Sequence, residues 1–218
     1  MSSTNVKSLL FAEFARVSKA LGSGNRLELL EFLAQGERSV DTLAKLSGLS
    51  VANTSRHLQV LRQAGLVAAR KEGLFVFYSV SGEGVIKLLA ALQEVAQHNV
   101  AEVTQLVNTY LTSKDSLEPL SVKDLADRMR SGLVTVVDVR PKEEYAAGHL
   151  PGAINIPLAD IEKNLSTLPR DREIIAYCRG PFCVLSFEAV AQLRKEGLKA
   201  RRLETGFPEW KVAGLPVE

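Results

Sequence analysis

Apolar residues recur at helical spacing through the first third of the chain, and alternating strand and helix patterns fill its second half. Val6, Leu9, Leu10, Phe14, Val17 and Leu21 mark one face of a helix that ends at Gly22-Ser23-Gly24. Leu27, Leu29, Leu30 and Leu33 mark a second helix over residues 26–34, stopped at Gly36. Ser39 caps a short helix closed by Gly48, and after a turn of about three residues Ser50 caps another that reaches Ala64 and closes at Gly65. That spacing predicts a helix-turn-helix. Residues 65–80 predict two strands around a turn at Glu72-Gly73. Val85, Leu89, Leu92, Ala96, Val103, Leu106 and Tyr110 then form an apolar stripe along a helix over 85–111. The stripe either packs inside its own chain or meets a second copy.

The polar stretch 112–119, ending in Pro119, separates this from a different pattern. Ser121, with Asp124 three residues on, starts a helix that Ser131-Gly132 closes. Strands are predicted at 133–139, 153–156, 174–177 and 200–203, with helices at 141–147, 158–165 and 184–196 between them. This order implies an α/β domain with a mostly parallel sheet covered on both faces. The domains expected are therefore a mainly α winged helix-turn-helix domain at 1–112, a linker at 113–120 and an α/β domain at 121–218.

Composition narrows the class. With 46% hydrophobic and 24% charged residues the chain is an ordinary folded protein, and its apolar runs are broken well before membrane-spanning length. No membrane association and a cytoplasmic location are the expectation. Residues 1–112 carry eleven Lys/Arg against nine Asp/Glu, whereas 113–218 carry sixteen of each. The basic excess is local: between Arg38 and Lys71 six basic residues face one acid, Asp41. Such a patch suits a phosphate backbone, although a solvated face has the same signature. Only two cysteines are present, so no disulfide scaffold is expected and a close pair in a reducing compartment is expected to be reactive.

Both lie in residues 174–184, between an apolar run and a helical pattern. Cys178 takes the first loop position after a strand, and Gly180 and Pro181 force the turn. A thiol there faces a curl of backbone N–H groups and the positive end of the next helix, which favours the thiolate. In the helix-turn-helix, Leu58 and Leu61 would face the core, with Thr54 beside them, while Ala52, Asn53, Ser55, Arg56 and Gln59 lie on the other side or the N-terminal end. With Ser50 at the cap and Arg70 and Lys71 at the tip of the strand pair, these are the expected DNA-binding residues.

The string from Ser55 to Val67 (SRHLQVLRQAGLV), followed by Arg70, Lys71, Glu72, Gly73 and Tyr78, resembles the winged helix-turn-helix of ArsR/SmtB-type repressors over about residues 6–110. The resemblance implies a homodimer, formed through the first and last helices, that releases double-stranded operator DNA when an inducer binds. Relatives sense metals through cysteines in the helix before the recognition helix, but residues 39–46 hold no cysteine or histidine here. On the last helix only His98 and Glu102 are candidate ligands, so no metal site and no cofactor are expected. His57 is read as structural or phosphate-contacting.

The stretch from Val137 to Pro157, the cysteine loop and the stretch from Gly206 to Val217 together resemble a rhodanese domain over about residues 117–218. That resemblance implies persulfide chemistry: Cys178 would take a sulfane sulfur from a small donor and pass it on. The amides of Arg179, Gly180, Phe182, Cys183 and Val184 could hold the persulfide anion, while Pro181 has none to give. Arg179 adds a positive charge, Asp138 is read as a loop anchor and Arg140 as a member of an ion pair, both flanking the same pocket; His149 is read as structural. Active sulfurtransferases commonly carry arginine or another polar residue five positions after the nucleophile, where this chain has Cys183. That weighs against phosphate-ester or arsenate chemistry and against efficient thiosulfate turnover. Cys183 is either a resolving thiol or a small buried residue at the helix start. The leading expectation is a repressor whose rhodanese domain senses reactive sulfur. A sulfurtransferase with an accessory DNA-binding domain, an inert recruiting module, and a metal- or metalloid-responsive repressor using Cys178 and Cys183 are the alternatives.

Overall fold

A computed structural model describes residues 3–112 and 118–218. Of the expected linker, residues 113–117 lie outside the described residues. The chain divides into two compact units, Met1–Leu89 and Ala90–Glu218.

In the first unit, helices α1 (Ser3–Leu21) and α2 (Gly24–Ala34) precede a two-residue strand β1 (Arg38–Ser39), and the helix-turn-helix follows as α3 (Val40–Ser47) and α4 (Val51–Gln63). Ser39 caps α3 by accepting the amide of Thr42, and Ser50 caps α4 by accepting that of Asn53. Gly48 closes α3 at φ +68°, in the left-handed region where glycine carries no side-chain penalty. The wing is the hairpin β2 (Val67–Glu72) and β3 (Phe75–Val80), paired antiparallel from Val67↔Val80 to Glu72↔Phe75 across a two-residue turn. A three-stranded sheet of order β1-β3-β2 results. Thr54, Leu58 and Leu61 of α4 pack into a core with Leu29, Leu30, Leu33 and Leu43.

The long helix foreseen over 85–111 is broken. Helix α5 (Glu83–Asn99) stops where Val100 turns extended at φ −112°, ψ 105°, and α6 (Ala101–Leu106) restarts before a wider π turn at Val107–Thr112. Side chains at the break bond back to the helix: Asn99 Nδ2 donates to Val95 O at 2.9 Å, and Thr104 Oγ1 to Gln97 O at 2.9 Å. Much of the stripe stays uncovered, with Val95, Val100, Leu106 and Tyr110 exposed, and α1 leaves Leu9, Leu10, Phe11 and Phe14 exposed as well.

The second unit holds a fully parallel sheet of order β5-β4-β6-β7, made of β4 (Val134–Asp138), β5 (Ile154–Asn155), β6 (Glu173–Tyr177) and β7 (Ala200–Arg202). Both faces are covered. Ile174, Ala176 and Cys178 point to one side with Val190 and Leu193 of α10 (Val184–Lys195), while Ile175 and Tyr177 point to the other with Leu125 of α7 (Val122–Arg130) and Trp210 of α11 (Phe207–Val212). The expected strand at 153–156 shrinks to two residues, and the helix expected at 158–165 becomes a short α9 (Ile161–Asn164) between 3-10 turns. The remaining helix, α8 (Lys142–Ala146), leads out of the loop after β4. No helix among the described residues is long and apolar enough to cross a membrane.

Candidate functional site

Cys178 ends the alternation of β6 and is 1% exposed; Cys183, at the N-cap of α10, is 8% exposed. The loop between them curls enough for Cys183 N to donate to Gly180 O at 3.2 Å, so this amide is already used inside the loop. The Cα atoms of the two cysteines stand 6.2 Å apart and their sulfur atoms are bonded as a disulfide. Val184 begins α10 behind them, which sets both sulfurs at the positive end of a twelve-residue helix. From the opposite side, the segment before α11 clamps the loop. Phe207 N donates to Cys178 O at 3.1 Å, and Gly206 lies so close that a Cβ there would come within 2.4 Å of Arg179 and Gly180 backbone atoms.

Two ion pairs frame the loop. Asp138 and Arg140 are both fully buried at the end of β4, beside Tyr177 in the sheet register. Asp138 accepts the Arg140 amide at 2.9 Å, Nε at 3.0 Å and Nη2 at 2.6 Å, and it also accepts the Tyr177 hydroxyl. The guanidinium also lies 4.3 Å over the Phe207 ring. Burial works against its charge but the Asp138 bonds outweigh that, and its pKa is raised. Burial first and Asp138 second push the Tyr177 pKa far up, so its hydroxyl is fixed as a donor. Arg179 is held in turn by Glu144, itself 1% exposed, with Nε at 3.1 and 3.0 Å and Nη2 at 2.8 Å from the carboxylate. The positive charge expected of Arg179 is therefore matched on the spot. Near the clamp, burial raises the Glu209 pKa although its carboxylate accepts Gly206 N at 2.9 Å. His149 stacks on Tyr145 with ring centroids 3.7 Å apart and bonds Tyr145 O through Nδ1, a structural placement.

In the first unit, α4 presents Ala52, Asn53, Arg56 and Gln59 to solvent, Ser55 half-buried and Ser50 exposed at the cap. At the wing, Lys71 is exposed, but Arg70 is tied down. Its Nη2 lies 2.6 Å from Glu37 and its Nη1 bonds Glu72, while its guanidinium rests 5.2 Å over Phe77. Leu74 at the hairpin tip is 97% exposed. Nδ1 of His98 bonds back to Glu94 O at 2.9 Å, and no cluster of three or more His, Cys, Asp or Glu side chains suited to a metal occurs among the described residues.

Residues 23–69 match the family of bacterial regulatory proteins, arsR family, and residues 121–213 match the rhodanese-like domain. The HTH-type transcriptional regulator Rv0324 of Mycobacterium tuberculosis is 45% identical over 212 residues, which cover 97% of this chain and 93% of that protein. The chain is an ArsR-family transcriptional regulator with a rhodanese domain. In this regulator the rhodanese part also matches a sulfurtransferase of Allochromatium vinosum, 34% identical over 85 residues, covering 38% of this chain and 78% of that protein. Among solved structures, the homodimeric winged helix-turn-helix DNA-binding domain Mb0332 of Mycobacterium bovis is 42% identical, with a TM-score of 0.43, and the match covers 46% of this chain and 91% of that one. Four residues that shape the regulator's sites escape a reading of local pattern: Glu144, Glu37, Tyr177 and Gly206. Glu144 lies 35 positions from Arg179 and Glu37 lies 33 from Arg70, separations at which sequence spacing carries no pairing signal.

Proposed function

We propose that this regulator is a homodimer that holds double-stranded operator DNA through α4 and the wing and responds to reactive sulfur through Cys178. The observation that carries the reading is the bonded pair Cys178 and Cys183 inside a rhodanese loop, on a chain whose other half is an ArsR-type DNA-binding module. The uncovered apolar rows of α1 and of α5–α6 support the dimer, as does the homodimeric relative from Mycobacterium bovis. Operator binding would set its work in the cytoplasm.

The chemistry balances in two steps. The Cys178 thiolate attacks a sulfane sulfur of a polysulfide; the sulfur–sulfur bond of the donor breaks, and the shortened polysulfide leaves with the electron pair. Cys183 thiolate then attacks Cys178 Sγ and expels hydrosulfide, so the cysteines are oxidised by two electrons and the sulfane sulfur is reduced to sulfide. Both arginines of the site are matched by buried carboxylates, which gives a thiosulfate dianion little to bind and favours sensing over turnover.

Mass spectrometry of the reduced chain after polysulfide treatment tests the order of events. Wild type is expected to lose both thiols with no sulfur added, Cys183→Ser to keep one added sulfur on Cys178, and Cys178→Ser to stay unmodified. Sulfur added to Cys183 in Cys178→Ser would refute the assignment of the nucleophile. On the DNA side, Arg56→Ala is expected to cost about 1–3 kcal/mol of operator affinity and to relax preference at one base pair. Affinities across single-base operator variants measure it, and an unchanged profile removes Arg56 from the base-reading set.

A further inference from the structure

In the rhodanese sheet, strand β4 is incompletely covered along one side. β4 pairs with β6 along its whole length, Val134 to Asp138, whereas β5 covers only Val137 and Asp138. Val134, Thr135 and Val136 therefore have strand partners on one side alone. A groove of about 610 Å³ runs along this stretch. All three consecutive residues line it, and since successive strand side chains point to opposite faces, the groove borders the backbone edge and not merely one face. Its walls are apolar, built from Met129, Ile154, Trp210 and Leu215, and Arg130 and Arg172 also line it.

Each feature restricts the occupant. An unpaired edge offers N–H and C=O groups at strand spacing, which an extended backbone satisfies and a compact ligand does not. The apolar walls suit every second side chain of such a strand. The two arginines select the remaining side chains to be acidic. Arg130 now pairs with Asp127 and Arg172 with Asp171, all four more than half exposed, and exposed pairs of this kind are weak enough to exchange for a ligand's carboxylates. We propose that this edge docks an extended segment of a partner protein in which apolar and acidic side chains alternate. The groove flanks the start of β4, whereas Cys178 follows the end of the parallel β6, so a docked strand would leave the cysteine loop open. The docking is thus independent of the sulfur reading.

The test uses the full chain and a fluorescein-labelled peptide alternating aspartate and valine, followed by fluorescence anisotropy. A lysine–valine peptide and the Arg130→Glu/Arg172→Glu double variant, both positions being solvent-exposed, serve as the controls. Saturable binding of the aspartate–valine peptide is expected, weakened about tenfold or more by either control. A shift in emission of Trp210, the single tryptophan, should accompany saturation and vanish in the double variant. No saturable binding, or equal binding of the two peptides, overturns the proposal. A change in the chain's association state on sedimentation of the double variant also overturns it, because the groove would then belong to a second copy.

Discussion

Arg140→Leu is expected to destabilise the second unit by about 3–5 kcal/mol, the usual cost of stranding one partner of a buried ion pair. Leucine keeps much of the apolar stem that packs near Phe207 and Tyr177, so lost volume is the smaller part of the effect. The larger part is Asp138, fully buried, left with the Tyr177 hydroxyl and one backbone amide in place of a guanidinium. Guanidinium chloride unfolding followed at Trp210, which sits in this unit, reads the loss directly. Adding Asp138→Asn to Arg140→Leu should restore part of it by removing the stranded charge. A loss below about 1 kcal/mol would mean that water reaches Asp138 and that the pair does not anchor the loop.

Gly206→Ala is expected to disable the cysteine loop. The glycine is not needed for its backbone angles, since φ is −122°; it is needed for space. A Cβ would meet Arg179 and Gly180 at 2.4 Å, and these are backbone atoms that no rotamer change can move aside. The loop must shift away from α11, breaking the bond from Phe207 N to Cys178 O and displacing Cys178 from Cys183. Polysulfide-driven loss of the two thiols should slow about tenfold or more, with overall stability lowered by about 1–3 kcal/mol. Wild-type rates of thiol loss in this variant would show that the clamp does not position the nucleophile.

What could be seen in the sequence and what could not divide along a physical line. Thr54, Leu58 and Leu61 recur one helical turn apart, so the buried face of α4, and with it the exposed face opposite, follows from local periodicity. The same holds for β6, where Ile174 to Tyr177 are all buried because the sheet is covered on both sides. An ion pair at Arg140 follows from a buried arginine at a strand end, whereas its partner, Asp138 two residues before it, is named only by the fold. The break at Val100 was not legible, since the stripe continues across it; side chains bonding back to main-chain carbonyls decide it. Nor was the neutral state of the cysteine loop. Arg179 looks like a free cation until the fold brings Glu144 to it, and the clamp at Gly206 is a close approach between segments that sequence order keeps apart. The short β5, which leaves three of the five residues of β4 unpaired on that side, is likewise a matter of register.

Sulfur chemistry at Cys178 is proposed to change the grip on DNA, and about a tenfold change in affinity, ~1.4 kcal/mol of coupling, suffices for a switch. The most direct measurement is the affinity of reduced wild type and of Cys178→Ser for operator DNA, selected from a random-sequence pool by the reduced protein, before and after inorganic polysulfide. Wild type should lose affinity about tenfold or more while Cys178→Ser holds its DNA unchanged. Equal release by the two proteins, or no release by wild type, would rule out Cys178 as the group that couples reactive sulfur to DNA binding.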